Sequence, residues 1–222
     1  MLPLTTCRRD ETTINTTDVV RNLGVLLDSK LSMTQHVAKV ASVCFFHIRR
    51  LRQIRRRVGQ EVTTRLVLAM VTTCLDYCNS LLAGLPQSTL EPLQKVQNCA
   101  VRLILNLRQG DHVTPALKQL HWLPIQARVQ LCTLMHGIHN SQCPAYLSDV
   151  VQSIATTSTR EGLRSAATTN YATPRLRTRF GERAFSHAGP AAWNQLPETV
   201  RQAQTQPHFK RLLKAFLFNE FL

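Results

Sequence analysis

The stretch Ile48-Arg49-Arg50-Leu51-Arg52-Gln53-Ile54-Arg55-Arg56-Arg57-Val58-Gly59 lays six arginines, within the nine positions from Arg49 to Arg57, on an apolar repeat of helical period. At about 100° per residue, Ile48, Leu51, Ile54 and Val58 fall within about a third of the helix circumference, and Arg49, Arg52 and Arg56 collect on the opposite side. Arg50, Arg55 and Arg57 flank the stripe. An apolar stripe of this width needs a core to face, and Gly59 stops the helix directly after it. The stretch therefore predicts a helix packed in a bundle, with a cationic outer face. A guanidinium stays charged, forks onto phosphate oxygens and is easier to desolvate than an ammonium. A merely solvated face ordinarily mixes signs, and no acid occurs here, so phosphate is the partner that the pattern favours.

Upstream, the helix extends back to about Thr34, with Ser32 or Thr34 as its cap and Val37, Val40, Ala41, Cys44 and Phe45 inside. Lys39 lies on the same helix. Residues 19 to 28, Val-Val-Arg-Asn-Leu-Gly-Val-Leu-Leu-Asp, are β-branched and apolar, interrupted by Gly24 as at a bulge or close backbone approach, which predicts a strand or hairpin arm. Downstream, a second helix over roughly Gln60 to Leu82 and a third over roughly Thr89 to Leu107 repeat apolar residues at helical spacing and end near glycines. Three helices joined by short turns make a bundle.

Beyond Gly110 the elements shorten. Thr114-Pro115 opens a helix to Leu120. Pro124 fits the first position of a helix to about Asn140, and Pro144 opens a last turn or two through Val151. Gln152 to Thr178, rich in Ser, Thr, Ala and Arg, reads as a linker or extended segment with a short strand around Tyr171 to Leu176. An amphipathic helix from Pro207 to Phe218 closes the chain. The expected fold is mainly α: a short N-terminal β hairpin (1–31), a three-helix bundle (32–108), a helical connection (109–151), the extended segment (152–180), and a smaller α-rich C-terminal region (181–222).

With 27 Lys and Arg against 13 acids, the formal charge is +14 and the pI about 10.3. Such a chain repels itself unless anions are near, and nucleic acid is the expected partner. No apolar run is long enough to span a membrane, no export signal opens the chain, and the seven cysteines are an odd number scattered through apolar segments. Reduced core thiols in the cytoplasm or nucleus are expected.

Sites for chemistry are not found. Cys132, His136, His139 and Cys143 share a helical strip, but at about 1.5 Å rise per residue the outer pair stands about 16 Å apart, too far to share one tetrahedral zinc. Cys74 and Cys78 have no second half. There is no nucleophile elbow and no phosphate-cradling glycine loop. The only adjacent acids are Asp10-Glu11, too few for magnesium-dependent phosphoryl transfer; Asp28 and Asp76 read as caps or turn residues. No catalytic residue, metal or cofactor is expected.

The order of motifs resembles the region after the palm of reverse transcriptases from non-LTR, LINE-type retrotransposons of the jockey-like group. It is carried by Val20-Arg21-Asn22-Leu23-Gly24-Val25-Leu26-Leu27-Asp28 with His36-Val37, by Leu75-Asp76-Tyr77-Cys78-Asn79-Ser80 through Pro86, and by Leu93-Gln94-Lys95-Val96-Gln97-Asn98-Cys99-Ala100-Val101-Arg102. Leu120-His121-Trp122-Leu123-Pro124 and Trp193-Asn194-Gln195-Leu196-Pro197 continue the series. The resemblance runs from about residue 14 to 218. It implies that residues 19 to 28 support a primer end and that the bundle is a thumb gripping template and primer. The family's aromatic-Ala-Asp-Asp motif and fingers do not occur in these 222 residues, so polymerase activity is not carried over. The expectation is a remnant that binds RNA or an RNA/DNA hybrid through Lys39, Arg49, Arg52, Arg55 and Arg56. The alternative is a fossil or structural module with no selected nucleic-acid activity.

Overall fold

The computed structural model describes residues 7–9, 12–14, 17–127, 131–154 and 169–221. It is mainly helical, as the periodicities predict. Two antiparallel hairpins come first, β1 (Cys7–Arg9) with β2 (Thr12–Ile14) and β3 (Val19–Asn22) with β4 (Val25–Asp28). The second is the expected one. Its turn, Leu23-Gly24, has positive φ at both residues (46° and 84°), the conformation that a two-residue hairpin turn requires.

Helix α1 (Thr34–Val67) follows, broken at Gly59, whose φ of 75° and ψ of 179° are helical for no residue and suit glycine alone. The chain reverses there: the Cys44 thiol reaches the carbonyl of Val71 at 3.9 Å. The first arm (34–58) thus lies against a second arm that runs from 60 through a π-helical segment, Leu68–Thr72, into α2 (Thr73–Asp76). The second predicted helix ends early, because Tyr77 is extended and Cys78 left-handed; a 3-10 turn, Asn79–Leu82, replaces its last part.

Helix α3 (Gln87–Leu105) packs on α1, and Val37, Ala41, Cys44, Ile48, Leu51, Val67, Val71, Leu93, Val96, Ala100 and Ile104 form one aliphatic core. Helix α4 (Thr114–Leu120) docks on Val101 through Ala116 and Leu117. The loop after it is tied to α3 by amides: Gln97 Nε2 donates to the Leu123 carbonyl at 2.7 Å, and Ile125 N–H donates to Gln94 Oε1 at 3.0 Å. The helix expected from Pro124 to Asn140 is shorter, a 3-10 turn at Ile125–Ala127 and then α5 (Leu131–His139), with residues 128–130 outside the described chain.

The C-terminal region contains α6 (Ala145–Ser148), α7 (Phe185–Asn194), α8 (Glu198–Arg201) and α9 (Gln206–Phe221). Where a strand was expected over Tyr171 to Leu176, the described residues form one isolated bridge, Ser153 with Tyr171; residues 155–168 of the expected linker lie outside them. Asn194 replaces a ladder there, accepting from Tyr171 N–H at 3.0 Å and donating to its carbonyl at 2.8 Å. Helix α7 runs through Gly189-Pro190, both buried. A Cβ on Gly189 would stand 2.9 Å from Met135 Sδ and 3.0 Å from the Phe185 ring, so glycine lets α7 approach α5.

Candidate nucleic-acid interface

The first arm of α1 is held at its start, along its length and near its end. At the start, Asp28 accepts the backbone N–H groups of Ser32 and Met33 (both 2.9 Å) and of Lys30 (3.1 Å). These bonds, led by that from Ser32, hold the carboxyl below its ordinary range. Asp28 is thus the turn residue that the sequence suggests. The cap itself is Met33, left-handed and without a side-chain capping bond, while Ser32 Oγ accepts from Thr34 N–H at 3.4 Å. Along the arm, the buried line is Val37, Ala41, Cys44, Ile48 and Leu51.

At the end, the structure corrects the predicted stripe. Continuing the buried line at about 100° per residue leads to Arg55 and then toward Val58, both half-buried, whereas Ile54 is 37 % exposed. Arg55 is half-buried and donates through Nε to the Leu103 carbonyl at 3.1 Å and through Nη2 to the Ile104 carbonyl at 3.0 Å. Both carbonyls belong to the last turn of α3, where no intrahelical donor reaches them and where a cation meets the negative end of the helix dipole. Among the expected phosphate ligands, Arg55 is therefore a brace between helices. Its sequence neighbours gave no sign of this, because the acceptors are backbone atoms 48 and 49 residues away.

The other candidates are on the surface. Lys39, Arg49, Arg52 and Arg56 are exposed, as are Arg50 and Arg57. Relative to the buried line, Lys39, Arg50 and Arg57 lie on the far side, and Arg49, Arg52 and Arg56 lie together on one flank, not opposite the core as expected. Helix rise of about 1.5 Å per residue spreads the set over about 27 Å from Lys39 to Arg57. The two ion pairs among the described residues, Glu61–Arg65 at 2.7 Å and Glu91–Lys95 at 2.9 Å, involve none of them. Phe46 sits among these cations, with the Arg50 guanidinium 5.6 Å from its ring centre.

The flank opposite Arg49, Arg52 and Arg56 faces the second arm. There a cavity of about 450 Å³ is bounded by Arg21, His36, Lys39, Val43, Thr73 and Tyr77. Tyr77 donates to the Leu23 carbonyl at 2.5 Å and so ties the hairpin to the second arm. His36 is buried, which keeps its pKa below the ordinary imidazole value, and its Nδ1 accepts from Leu26 N–H at 3.4 Å. Arg21 beside Lys39 was not foreseen, since a cation in a strand carries no mark of what its hairpin packs on.

The Cys132–His136–His139–Cys143 strip serves the C-terminal core. His136 Nε2 lies 2.7 Å from the Ala203 carbonyl and its ring stacks on Phe209 at 4.3 Å; His139 Nδ1 lies 3.3 Å from Tyr171 Oη; the Cys143 thiol points to the Leu134 carbonyl. No group of three metal-ligating side chains occurs among the described residues. No helix among them is long and apolar enough to cross a membrane. No family model, curated protein or solved structure matches the chain.

Proposed function

We propose that this chain binds RNA or an RNA/DNA hybrid through the phosphate backbone, without reading sequence, in the manner of the reverse transcriptase thumb it resembles. The observation that carries this reading is the braced first arm of α1. It presents Lys39, Arg49, Arg52 and Arg56 to solvent with no acidic partner among the described residues, on a helix that the Asp28 turn and the Arg55 brace fix at both ends. A helix already fixed in place pays no backbone ordering when its cations meet a polyanion. In the same reading the chain carries out no synthesis: its sequence lacks the aromatic-Ala-Asp-Asp motif, and the proposal assigns it grip only.

Binding to a short RNA/DNA hybrid, measured by fluorescence anisotropy against salt, tests this. Four neutralised phosphates give a log–log slope of about −3 to −4, or about a hundredfold loss of affinity from about 50 to about 200 mM salt. R49E/R52E/R56E should flatten the slope to about −1, with sequence-scrambled hybrids binding alike. No binding at low salt overturns the proposal. Exposed Leu23 (84 %) and Val20 (53 %) on the β3–β4 hairpin favour the second reading, an interaction module whose basic face is only solvated. Under that reading the triple glutamate variant leaves hybrid binding unchanged.

A further inference from the structure

The geometry points to a second nucleic-acid contact, for unpaired nucleotides, where the C-terminal helix α9 meets the end of α4. Helix α9 buries Phe209 and Leu213 and turns Lys210, Arg211 and Lys214 outward. Arg211, Lys214 and Phe218 follow one another at i, i+3 and i+7, which puts two cations and a ring on one line of the helix. Facing that line is His121. It ends α4 in a left-handed conformation (φ 53°), with its own N–H donating to the Lys118 carbonyl at 3.0 Å and that of Trp122 to the Leu117 carbonyl at 2.9 Å. This turn, which glycine adopts at lower cost, carries an imidazole whose ring centre lies 5.8 Å from that of Phe218.

His121, Arg211, Lys214 and Phe218 bound a cavity of about 390 Å³ with no acidic residue in its wall among the described residues. It adjoins a second, of about 320 Å³, that shares His121 and Lys214 and is lined also by Trp122 and Asp76. The chemistry is that of a single-strand site: cations for phosphates, and rings for the base face that pairing would hide. A fully paired hybrid offers phosphates but no free base, so this site and the α1 face take different parts of one ligand or different ligands. The inference stands on its own residues, independent of the α1 proposal.

Trp122 gives a built-in reporter, because the chain's other tryptophan, Trp193, is fully buried in the C-terminal core. An oligouridylate of about eight nucleotides, within the span of known single-strand grooves, should quench Trp122 emission. An abasic oligomer of the same length should bind about 5- to 150-fold more weakly, the equivalent of one stacked base. R211E/K214E should abolish the quench, F218A should weaken binding by the abasic factor, and F218Y, which keeps the ring, should restore it. R49E/R52E/R56E should lose the salt-sensitive hybrid binding yet keep the oligouridylate quench. The inference is overturned if R211E/K214E leaves the quench intact, if abasic and base-bearing oligomers bind equally, or if the α1 variant removes the quench. Loss of hybrid binding alone leaves it standing, so the two proposals fail separately.

Discussion

The N-terminal bundle and the C-terminal core are built from different side chains and closed in different ways. The bundle is aliphatic, with Val37, Ile48, Leu51, Val67, Leu93, Val96 and Ile104 interlocked between long helices. The C-terminal core is aromatic and hydrogen-bonded: Trp193 stacks on Phe209 at 5.8 Å and donates to the Thr169 carbonyl at 2.9 Å, His136 also stacks on Phe209, at 4.3 Å, and Tyr171 meets Trp193 edge-on at 6.3 Å. Aliphatic packing tolerates exchange of similar volumes, whereas a core of rings with polar tips fails when one partner leaves an unsatisfied group behind. The difference also separates roles: the aliphatic bundle carries the braced cationic helix, and the aromatic core fixes the helix that carries the proposed single-strand site.

The comparison breaks most readily at its centres. Trp193→Ala should cost about 3–5 kcal/mol from ring removal alone, and the orphaned Thr169 carbonyl adds to it. Leu93→Ala in the bundle should cost about 2–5 kcal/mol, while Leu93→Met should cost less than about 1.5 kcal/mol. Urea unfolding of the three variants ranks them, and a Leu93→Ala loss larger than that of Trp193→Ala would contradict the contrast. Gly59→Ala comes next. A Cβ there meets nothing within 4 Å, so the whole effect of about 1–3 kcal/mol is conformational, read as a fall of several degrees in Tm.

Arginine pairs sharpen the contrast between brace and grip. Arg55→Ala should cost about 1–3 kcal/mol by stranding the α3 carbonyls while leaving the salt slope of hybrid binding unchanged. Arg52→Ala should do the reverse, flattening the slope by about one phosphate with stability unchanged in urea. The smallest effect is with pH. Burial lowers the His139 pKa, helped by His136 and Arg201, and burial alone lowers that of His36. The unfolded chain therefore takes up protons first, near the ordinary value of about 6.5. Stability is full above that pH and falls as pH drops through the window down to the lowered folded-state pKa values. Chemical denaturation from neutral to mildly acidic pH should show the decline, and H36Q/H139Q should flatten it.

Much of the bundle was legible because its elements are long and its period is set by aliphatic residues: the hairpin at 19–28, the break at Gly59, and the spans of α3 and α4 follow from pattern and punctuation. The inward turn of Arg55 was not, since nothing local tells a guanidinium that meets carbonyls from one that meets water. The misplacement of Ile54 followed from it, for Ile54 completes an apolar stripe on a wheel drawn without α3. The C-terminal core was the least legible part. Its contacts join pieces of a few residues each, such as Tyr171 to Asn194, and the His136–His139 pair on α5 looks like a metal strip until Ala203 and Tyr171 are in place.

Arg183 closes the two regions onto each other, donating to the Leu31 carbonyl at 2.9 Å across 152 residues of sequence, with Gly84 close against its side chain. The contacts that define the α1 hairpin span far less chain, 27 residues for Cys44 to Val71. Closing short loops is fast and long ones slow, and a chain emerging from the ribosome completes its N-terminal unit first. The order of assembly follows: the arginine helix is folded and charged toward any nearby polyanion before the Arg183 clasp exists. Under the proposed RNA binding, the cationic arm would be available to a nascent-chain ligand before the C-terminal helix is.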